Sequence, residues 1–575
     1  MARIRWLDIR NFRSIQVLNW APSAGFNCLV GSGDSGKSSI LDAIDLCLGA
    51  RRSLSFGDTD FYALNVVQPI VISVTLGNLP DELKNLDTYG EFLRGFDAAT
   101  GQIEDEPRAG IETVLTLRLQ VTSDLEPAWT LYSERSVQQG LERGLTWKDR
   151  STLAPARIGS FANTNLSWNR GSILNRLTDE RADLGAELAR AAREARMNFG
   201  NQAGPQLGQT LQVVTQTAAR LGVPVGGAAQ ALLDAHSVSI GDGAIALHSA
   251  TGIPLRSLGT GSARLLIAGL QRVAAEAATI ALVDEVEYGL EPHRLARLLD
   301  SLGAKDPAQP LQVFLTTHSP VALRELSGNQ LFVVRPQADR HDVRVAGVSD
   351  EIQSTLRADP EAFLAKSVII CEGASEVGLV RGLDQCWVAL GETSFFALGG
   401  AYVDVGGSNP DRCFNRGTAL LRLGYRVLVL VDADKPPTAG VVAAFEAAGG
   451  QALTWRPGRA LEDELFCSLS DAAIDALLTK ACAIVGRDLV AEHIRSKSNG
   501  QTTLDAIELE RLLEGRTQAT RVLLGTASRI RGSGWFKSVT TYQEIAREIV
   551  GPHLGTAEAG FRAIIDQLWN WTRAA

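Results

Sequence analysis

Two apolar runs in the second half of the chain each stop at acids. Ser367-Val-Ile-Ile-Cys371 is followed by Glu372 and Glu376, and Tyr425-Arg-Val-Leu-Val-Leu-Val431 by Asp432 and Asp434. Runs this short, continuous and apolar predict strands buried on both faces of a parallel sheet. Acids at the ends of neighbouring strands then converge on one spot. Four converging carboxylates repel one another unless a hard divalent cation lies between them. That points to a Mg²⁺ or Mn²⁺ site, whose usual use is phosphoryl chemistry.

At 575 residues the chain exceeds a single core, and roughly two to four domains are expected. Its seven cysteines, Cys28, Cys47, Cys371, Cys386, Cys413, Cys467 and Cys482, include no CxxC pair. Their odd number and scatter argue against a disulfide framework or a zinc knuckle, and for a reducing cytoplasm. Met1-Ala-Arg-Ile-Arg-Trp6 lacks the apolar core of a signal peptide, and no apolar stretch approaches the ~20 residues that span a bilayer. A cytoplasmic protein without membrane contact is expected. The net charge of −9 is a weak argument against nucleic acid, because a local patch is what binds phosphate. Residues 515–543 offer one: Arg516, Arg521, Arg529, Arg531 and Lys537 occur there with no acid. A solvated basic face is the plainer reading. Its place downstream of the acids favours a surface that contacts a nucleic-acid backbone.

Gly31-Ser-Gly-Asp34-Ser35-Gly36-Lys37-Ser38-Ser39 fits GxxxxGK[ST] between a predicted strand, Phe26-Asn-Cys-Leu-Val30, and a predicted helix from Lys37 to Leu48. Glycines let backbone N–H groups wrap phosphates, and the helix N-terminus adds its dipole. Lys37 is expected to reach the β- and γ-phosphates of ATP, and Ser38 to ligate Mg²⁺. Ile280-Ala-Leu-Val-Asp284-Glu285 is an apolar strand ending in two acids. Asp284 would hold Mg²⁺ through water, and Glu285 would polarise the attacking water. Leu258-Gly259-Thr-Gly261-Ser262 precedes an amphipathic helix and looks like the signature of ABC-type ATPases. His318 follows Val313-Phe-Leu-Thr-Thr317, where those ATPases place a γ-phosphate sensor.

Strands are also expected at Ile4 to Ile15 with a turn, Pro69 to Leu76, and Glu112 to Val121, while 77–110 reads as loop or insertion. From Ser172 to about Leu221, Ile173, Leu177, Leu184, Leu188, Ala192, Ala195 and Phe199 recur at helical steps. Such a stripe is ordinarily core packing; interrupting an ATPase fold, it is also a candidate dimerising insert. Pro336 to Glu351 is polar and reads as a linker. Beyond it, apolar runs alternate with helical stretches to about Cys467, which implies βα units. The remainder to Ala575 reads as mainly helical.

The order P-loop, insert, signature, acidic strand, histidine, with Asn11-Phe-Arg-Ser14 near the start, resembles the ABC ATPase head of RecF, Rad50 and SMC proteins over about 1–160 and 235–335. In such heads the signature acts on ATP held by another head, which implies a dimer. Gly259 stands where the signature serine is expected, so that hydroxyl contact is missing and slow hydrolysis is expected. Glu372 and Glu376, then Val403-Asp-Val-Gly-Gly407, then Asp432-Ala-Asp434 resemble the Toprim fold. The combination resembles the OLD family of nucleases, which includes the larger subunit of the Gabija anti-phage system.

The resemblance implies that Glu372, Glu376, Asp432 and Asp434 bind two divalent metals. It implies Glu462 as a further ligand, with Asp463 or Glu464 as alternatives, and Lys537 beside the scissile phosphate. Glu462 could equally be a helix N-terminal dipole partner, and Lys537 a plain surface lysine anchored by its Trp and Phe neighbours. The expected class is α/β. An ABC ATPase head over 1–160 and 236–340 is split by a helical dimerisation insert at 161–235. A linker at 341–365 leads to a Rossmann-like Toprim core at 366–470 and a helical region at 471–575. The expected function is an ATP-regulated, Mg²⁺- or Mn²⁺-dependent DNA endonuclease in anti-phage defence. Its expected state is a homodimer or higher oligomer on DNA, with a UvrD-like helicase encoded nearby as a candidate partner. The competing reading is a DNA-repair or scaffold ATPase whose Toprim-like domain binds nucleic acid without cutting. A Toprim topoisomerase or primase is disfavoured, because no tyrosine stands in a nucleophile context and no zinc module exists.

Overall fold

The computed structural model describes residues 2–50, 54–158, 174, 184–220, 227–231, 247–274, 279–407, 409–513 and 515–574. Strands β1 (Arg3–Phe12), β2 (Ile15–Trp20), β3 (Phe26–Val30), β4 (Ile70–Gly77), β5 (Leu93–Asp97), β6 (Gln102–Glu104), β7 (Glu112–Val121), β8 (Pro127–Tyr132), β9 (Ala156–Ile158), β10 (Ile280–Val283), β11 (Gln312–Thr316), β12 (Leu331–Pro336) and β13 (His341–Val345) form one large sheet. Its order is β6-β5-β7-β4-β1-β2-β13-β12-β3-β11-β10-β9, with β8 on β7. One half, β9-β10-β11-β3-β12, is parallel. The other is an antiparallel meander through β1, β4 and β7. β3 is buried at all five positions, as a continuous apolar run inside a parallel sheet must be.

Helix α1 (Lys37–Leu48) starts at Gly36, whose φ of 84° only glycine adopts cheaply. Helix α2 (Leu184–Arg220) has 37 residues and is about 55 Å long. Within the expected helical stripe, Ile173 and Leu177 lie outside the described residues. Ala192 is buried, whereas Ala195 and Phe199 face solvent. Further along α2, Met197, Leu207, Val213 and Val214 are exposed as well.

The segment 77–110, expected as loop or insertion, contains β5 and β6; its polar turns hide two short strands, β5 paired to β7 and β6 to β5. The expected linker at 341–365 is likewise no linker. It holds β13, helix α3 (Asp350–Ala358) and a short 3₁₀ turn. Strand β13 pairs with β12 and β2, so its polar side chains mark a strand half exposed rather than a free connector.

A second sheet contains β14 (Ser367–Cys371), β15 (Gly400–Asp404), β16 (Arg426–Val431) and β17 (Gln451–Thr454). All pairings are parallel, in the order β15-β14-β16-β17. The chain leaves β14 for one neighbour and returns on its other side at β16. The carboxyl ends of β14 and β16 therefore flank the topological switch, where open α/β sheets place ligands. Helix α4 (Ala374–Ala389) follows β14, α5 (Asp411–Arg422) precedes β16, and α6 (Leu461–Ser468) follows β17. Helices α7 (Gln518–Ser528) and α8 (Val539–Ile545) belong to the helical remainder. The whole is mixed α/β. One apolar core runs from β3 and β12 through Phe363 to Val368, Tyr425 and Val429, joining the two sheets.

Candidate functional site

The phosphate loop is folded on its own lysine. Lys37 is 5 % exposed. Its ammonium donates to Gly31 O (3.2 Å), Ser32 O (2.7 Å) and Ser35 Oγ (3.2 Å), carbonyl and hydroxyl oxygens standing where a phosphate would offer its own. Burial pushes this ammonium down to about 8, against the pull of Asp34 and Asp284. Ser38 Oγ donates to Asp284 Oδ1 at 3.0 Å, so the two residues expected to share Mg²⁺ meet across 246 residues. Thr316 Oγ1 donates to the same oxygen at 2.6 Å. Asp34 is exposed at positive φ, and Ser39 is half-buried beside it.

Glu285 is exposed, and its backbone sits at φ 45°. Its N–H donates to Thr316 Oγ1 (2.8 Å) and its carbonyl accepts from Arg264 (3.0 Å), which hold that unusual conformation. His318 is exposed too, and Glu287 fixes it from behind by accepting its backbone N–H at 2.7 Å. The signature opens the helix Thr260–Val273, with Gly259 at its N-cap. Gly259 has open space where a side chain would be, whereas a Cβ on Gly261 would come within 2.5 Å of Gly289 O. That close approach requires glycine at 261.

Sequence reasoning missed the residues that tie these parts together. Arg264 is fully buried and also donates to Asp284 O and Tyr288 O. Arg157 pairs with Asp42, Asp45 and Asp284. A buried arginine leaves no signature in sequence beyond its presence on a helix that also carries the motif.

In the second sheet, Glu372 Oε2 accepts the Asp432 N–H at 3.1 Å, bridging the ends of β14 and β16. Glu376, 4 % exposed in the first turn of α4, reaches back to the Gly373 N–H at 3.0 Å. Asp432 Oδ1 accepts the Leu461 N–H at the start of α6, at 3.0 Å. Glu462 accepts the buried Tyr542 hydroxyl at 2.7 Å. Burial, and then one another's charge, push these groups up. Asp432 reaches about 8, with Glu462 and Glu372 contributing. Glu376 stands well above the usual carboxylate range, with Asp432 the largest charge acting on it. Glu372 and Glu462 are raised as well, mainly by burial.

Of the three adjacent acids 462–464, only Glu462 joins this set. Glu464 is fully buried and paired with Arg456 (2.7 Å) and Arg459 (3.2 Å), a structural role. Asp463 accepts the Ala460 N–H and pairs with Arg529 at 3.0 Å. Arg529 also reaches Asp434 at 3.2 Å. Lys537 is exposed and donates to Ile530 O at 3.4 Å, with no acid of the set as partner; its neighbours Trp535 and Phe536 are each 1 % exposed and anchor the backbone.

The basic run is corrected by the structure. Arg516 is buried against Asp475, Arg521 pairs with Asp471, and Arg529 faces the acids. Ion pairs drawn from elsewhere in the chain consume these charges, so 515–543 is not a free basic surface; Arg531 and Lys537 are its exposed cations without a carboxylate partner among the described residues.

The fit to divalent metal rests on the donor set. All the gathered groups are carboxylates, the oxygen ligands hard cations take; Glu376 is buried and Glu372, Asp432 and Glu462 half-buried, at a desolvation cost that a cation would offset. Among the described residues, no three of them close on one point at ligand spacing. Each is held instead by a backbone N–H, a hydroxyl or an arginine.

A family model described as "AAA domain, putative AbiEii toxin, Type IV TA system" matches residues 26–324, just over half of the chain. The match takes in the phosphate loop, the signature, Asp284 and His318. The DNA replication and repair protein RecF of Nitrosococcus oceani is 51% identical over 53 residues, which is 9% of this chain and 14% of that protein. The Smc head bound to the C-winged helix domain of ScpA is 17% identical, with a TM-score of 0.34, covering 60% of this chain and 97% of that one. The SMC head domain from Thermotoga maritima is 14% identical, with a TM-score of 0.27, covering 60% of this chain and all of that one (100%). Among the described residues no helix is long and apolar enough to cross a membrane.

Proposed function

The chain belongs to the AAA-domain family matched over residues 26–324, and from that premise we propose that its ATP-binding first half, of ABC type, governs a divalent-metal-dependent DNA endonuclease in its second half. The observation that carries the nuclease reading is the set of buried Glu376 with half-buried Glu372, Asp432 and Glu462, gathered around the carboxyl ends of β14 and β16, whose members raise one another's proton affinity. Carboxylates are gathered this way, at a cost in desolvation, where a cation is to be held.

Bound Mg²⁺ or Mn²⁺ would supply an activated water and a stabilised leaving oxygen. Glu372, Glu376, Asp432 and Glu462 would hold such ions, with Asp434 joining once Arg529 releases it. Lys537, exposed beside two buried aromatics, is free to meet a phosphate. In the first half, Ser38 and Asp284 would share the Mg²⁺ of ATP, and Lys37 would turn from Gly31 and Ser32 to the phosphates. Glu285 and His318, both exposed, would act on the γ-phosphate and its attacking water. The signature at Gly259 and Gly261 would engage ATP of a second copy.

The proposed organisation is an ATPase over 1–160 and 236–340, a dimerising insert at 161–235, and a Toprim nuclease from 366 with its helical region to 575. The exposed apolar side chains of α2 support a homodimer. Anti-phage defence and a UvrD-like helicase as partner belong to the same proposal and rest on the resemblance alone.

The test is nicking of supercoiled plasmid in Mn²⁺ or Mg²⁺. Asp432→Ala should abolish it while ATP binding persists, and Lys37→Ala should change its response to ATP. Cleavage retained by Asp432→Ala rules out this site. The non-cutting reading, a repair or scaffold ATPase that only binds DNA, is favoured by the spread of these acids, no three of which close on one point among the described residues. It predicts DNA binding with no metal-dependent nicking in the unaltered protein.

A further inference from the structure

The hairpin β12–β13 touches both the phosphate loop and the turn that leads into β16. Strand β12 runs parallel to β3, with Val333 opposite Val30. The next carbonyl, Val334 O, lies against the first residue of the phosphate loop: a Cβ on Gly31 would come within 2.7 Å of it. On the return strand, His341 Nε2 would be 3.3 Å from a Cβ on Gly36, at the other end of the loop. The hairpin therefore backs the phosphate loop at both of its hinges.

The same hairpin grips the turn that leads into β16. Arg335, 6 % exposed, lays its guanidinium 3.7 Å from the ring centroid of Tyr425 and donates to Ala365 O at 3.0 Å. Tyr425 is 3 % exposed, and its hydroxyl donates to Phe363 O at 2.8 Å. Arg344, braced by Asp342, donates to Arg422 O at 2.9 Å. Gly424 between them has φ 85°, and a Cβ there would meet Arg335 Cγ at 3.4 Å. Tyr425 immediately precedes β16, which is bonded on both sides and ends at Val431, next to Asp432. The charge of Arg335 is also felt at Lys37.

We infer that Arg335 is a positioning residue shared by the two sites: stacked on Tyr425, it converts a change in the phosphate loop into a displacement of β16 and so of Asp432 and Asp434. This rests on the reading of those acids as a nuclease centre under ATP control. A strand hydrogen-bonded on both edges moves as a unit, and packed elements of this kind carry coupling between sites. Arginine is specific here, because a planar guanidinium stacks on a ring while donating in its plane, and an ammonium does not.

The experiment uses the full chain and two variants, Arg335→Lys and Tyr425→Leu, neither of which alters a group proposed to touch ATP, metal or DNA. Plasmid nicking in Mn²⁺ is measured with and without ATP. Each variant should bind ATP and nick without ATP within about two-fold of the unaltered protein, while the ATP effect shrinks by about five-fold or more, the lower end of ordinary coupling. The double variant should lose no more than either single one. An undiminished ATP effect in both overturns the inference. Hydrogen exchange of residues 425–434 in the unaltered protein supplies an independent readout. ATP should change its rate there, and Arg335→Lys should cancel that change even if no nicking is found and the nuclease reading fails. No ATP-linked change at 425–434 overturns the inference even where nicking is confirmed.

Discussion

Glu372 accepts the backbone N–H of Asp432 at 3.1 Å, across 60 residues of chain. That bond continues the β14–β16 ladder past its last strand pair and ties the two acid clusters to each other. It also leaves Asp432 half-buried beside other carboxylates, which with desolvation push it up to about 8, a cost the protein carries when no cation is bound.

Removing that charge should therefore stabilise the metal-free protein. Asp432→Asn should raise the apparent Tm by about 1 °C, the shift expected of roughly 1 kcal/mol in a chain of 575 residues. It should also lose the stabilisation that Mn²⁺ gives the unaltered protein. Thermal melts with and without Mn²⁺ check both; a lower Tm for the variant without metal refutes the account of Asp432 as a costly charge.

The three neighbouring acids should separate by kind of damage. Glu464→Ala leaves Arg456 and Arg459 without their buried partner, and breaking such a pair should cost about 3–5 kcal/mol. Glu462→Gln, which keeps an acceptor for the buried Tyr542 hydroxyl, should leave stability within about 1 kcal/mol and abolish Mn²⁺-dependent nicking. Urea unfolding alongside the plasmid assay distinguishes them. Equal loss of stability in the two would contradict the roles assigned.

Lys37 titrates near pH 8 because burial favours its neutral form. Its folded value lies below the unfolded one, so its contribution to stability is complete above about pH 10.5 and is lost as pH falls through about 8. Phosphates of ATP should restore the ammonium. Binding at pH 8 should then take up about half a proton per ATP. Calorimetry in buffers of different ionisation enthalpy reads this directly, and a heat independent of buffer would exclude it.

Asp359 follows α3, between the two sheets, with one buried carboxylate oxygen that has no hydrogen-bond partner among the described residues. Burial pushes it up to about 6, against the pull of Arg416. Its folded value exceeds the unfolded one, so the native state binds more protons between about pH 4 and 6, and stability falls as pH rises through that window. Asp359→Asn should flatten that slope and raise the Tm at pH 7. Melts at pH 5 and pH 7 decide it: an equal pH slope in the variant removes Asp359 as the cause.

The phosphate loop, β3 and the strand ending at Asp284 were legible because their signals are local: a fixed glycine spacing and unbroken apolar runs. The same holds for β14 and β16, whose terminal acids announce themselves next to buried strands. The basic run at 515–543 misled, because a cation's partner can lie anywhere in the chain; Asp471 and Asp475 answer Arg521 and Arg516 from over 40 residues away.

Sequence alone settled where the glycine-rich loop between β3 and α1 lies and which acids follow buried strands, since periodicity and motif spacing act over a few residues. The tertiary structure alone decided that Glu462 rather than Asp463 or Glu464 turns toward Asp432. It alone made 341–345 a strand instead of a tether and set Arg335 on Tyr425. Those outcomes depend on which distant surfaces become buried against each other, and burial, not spacing, sets the partner a charge must find.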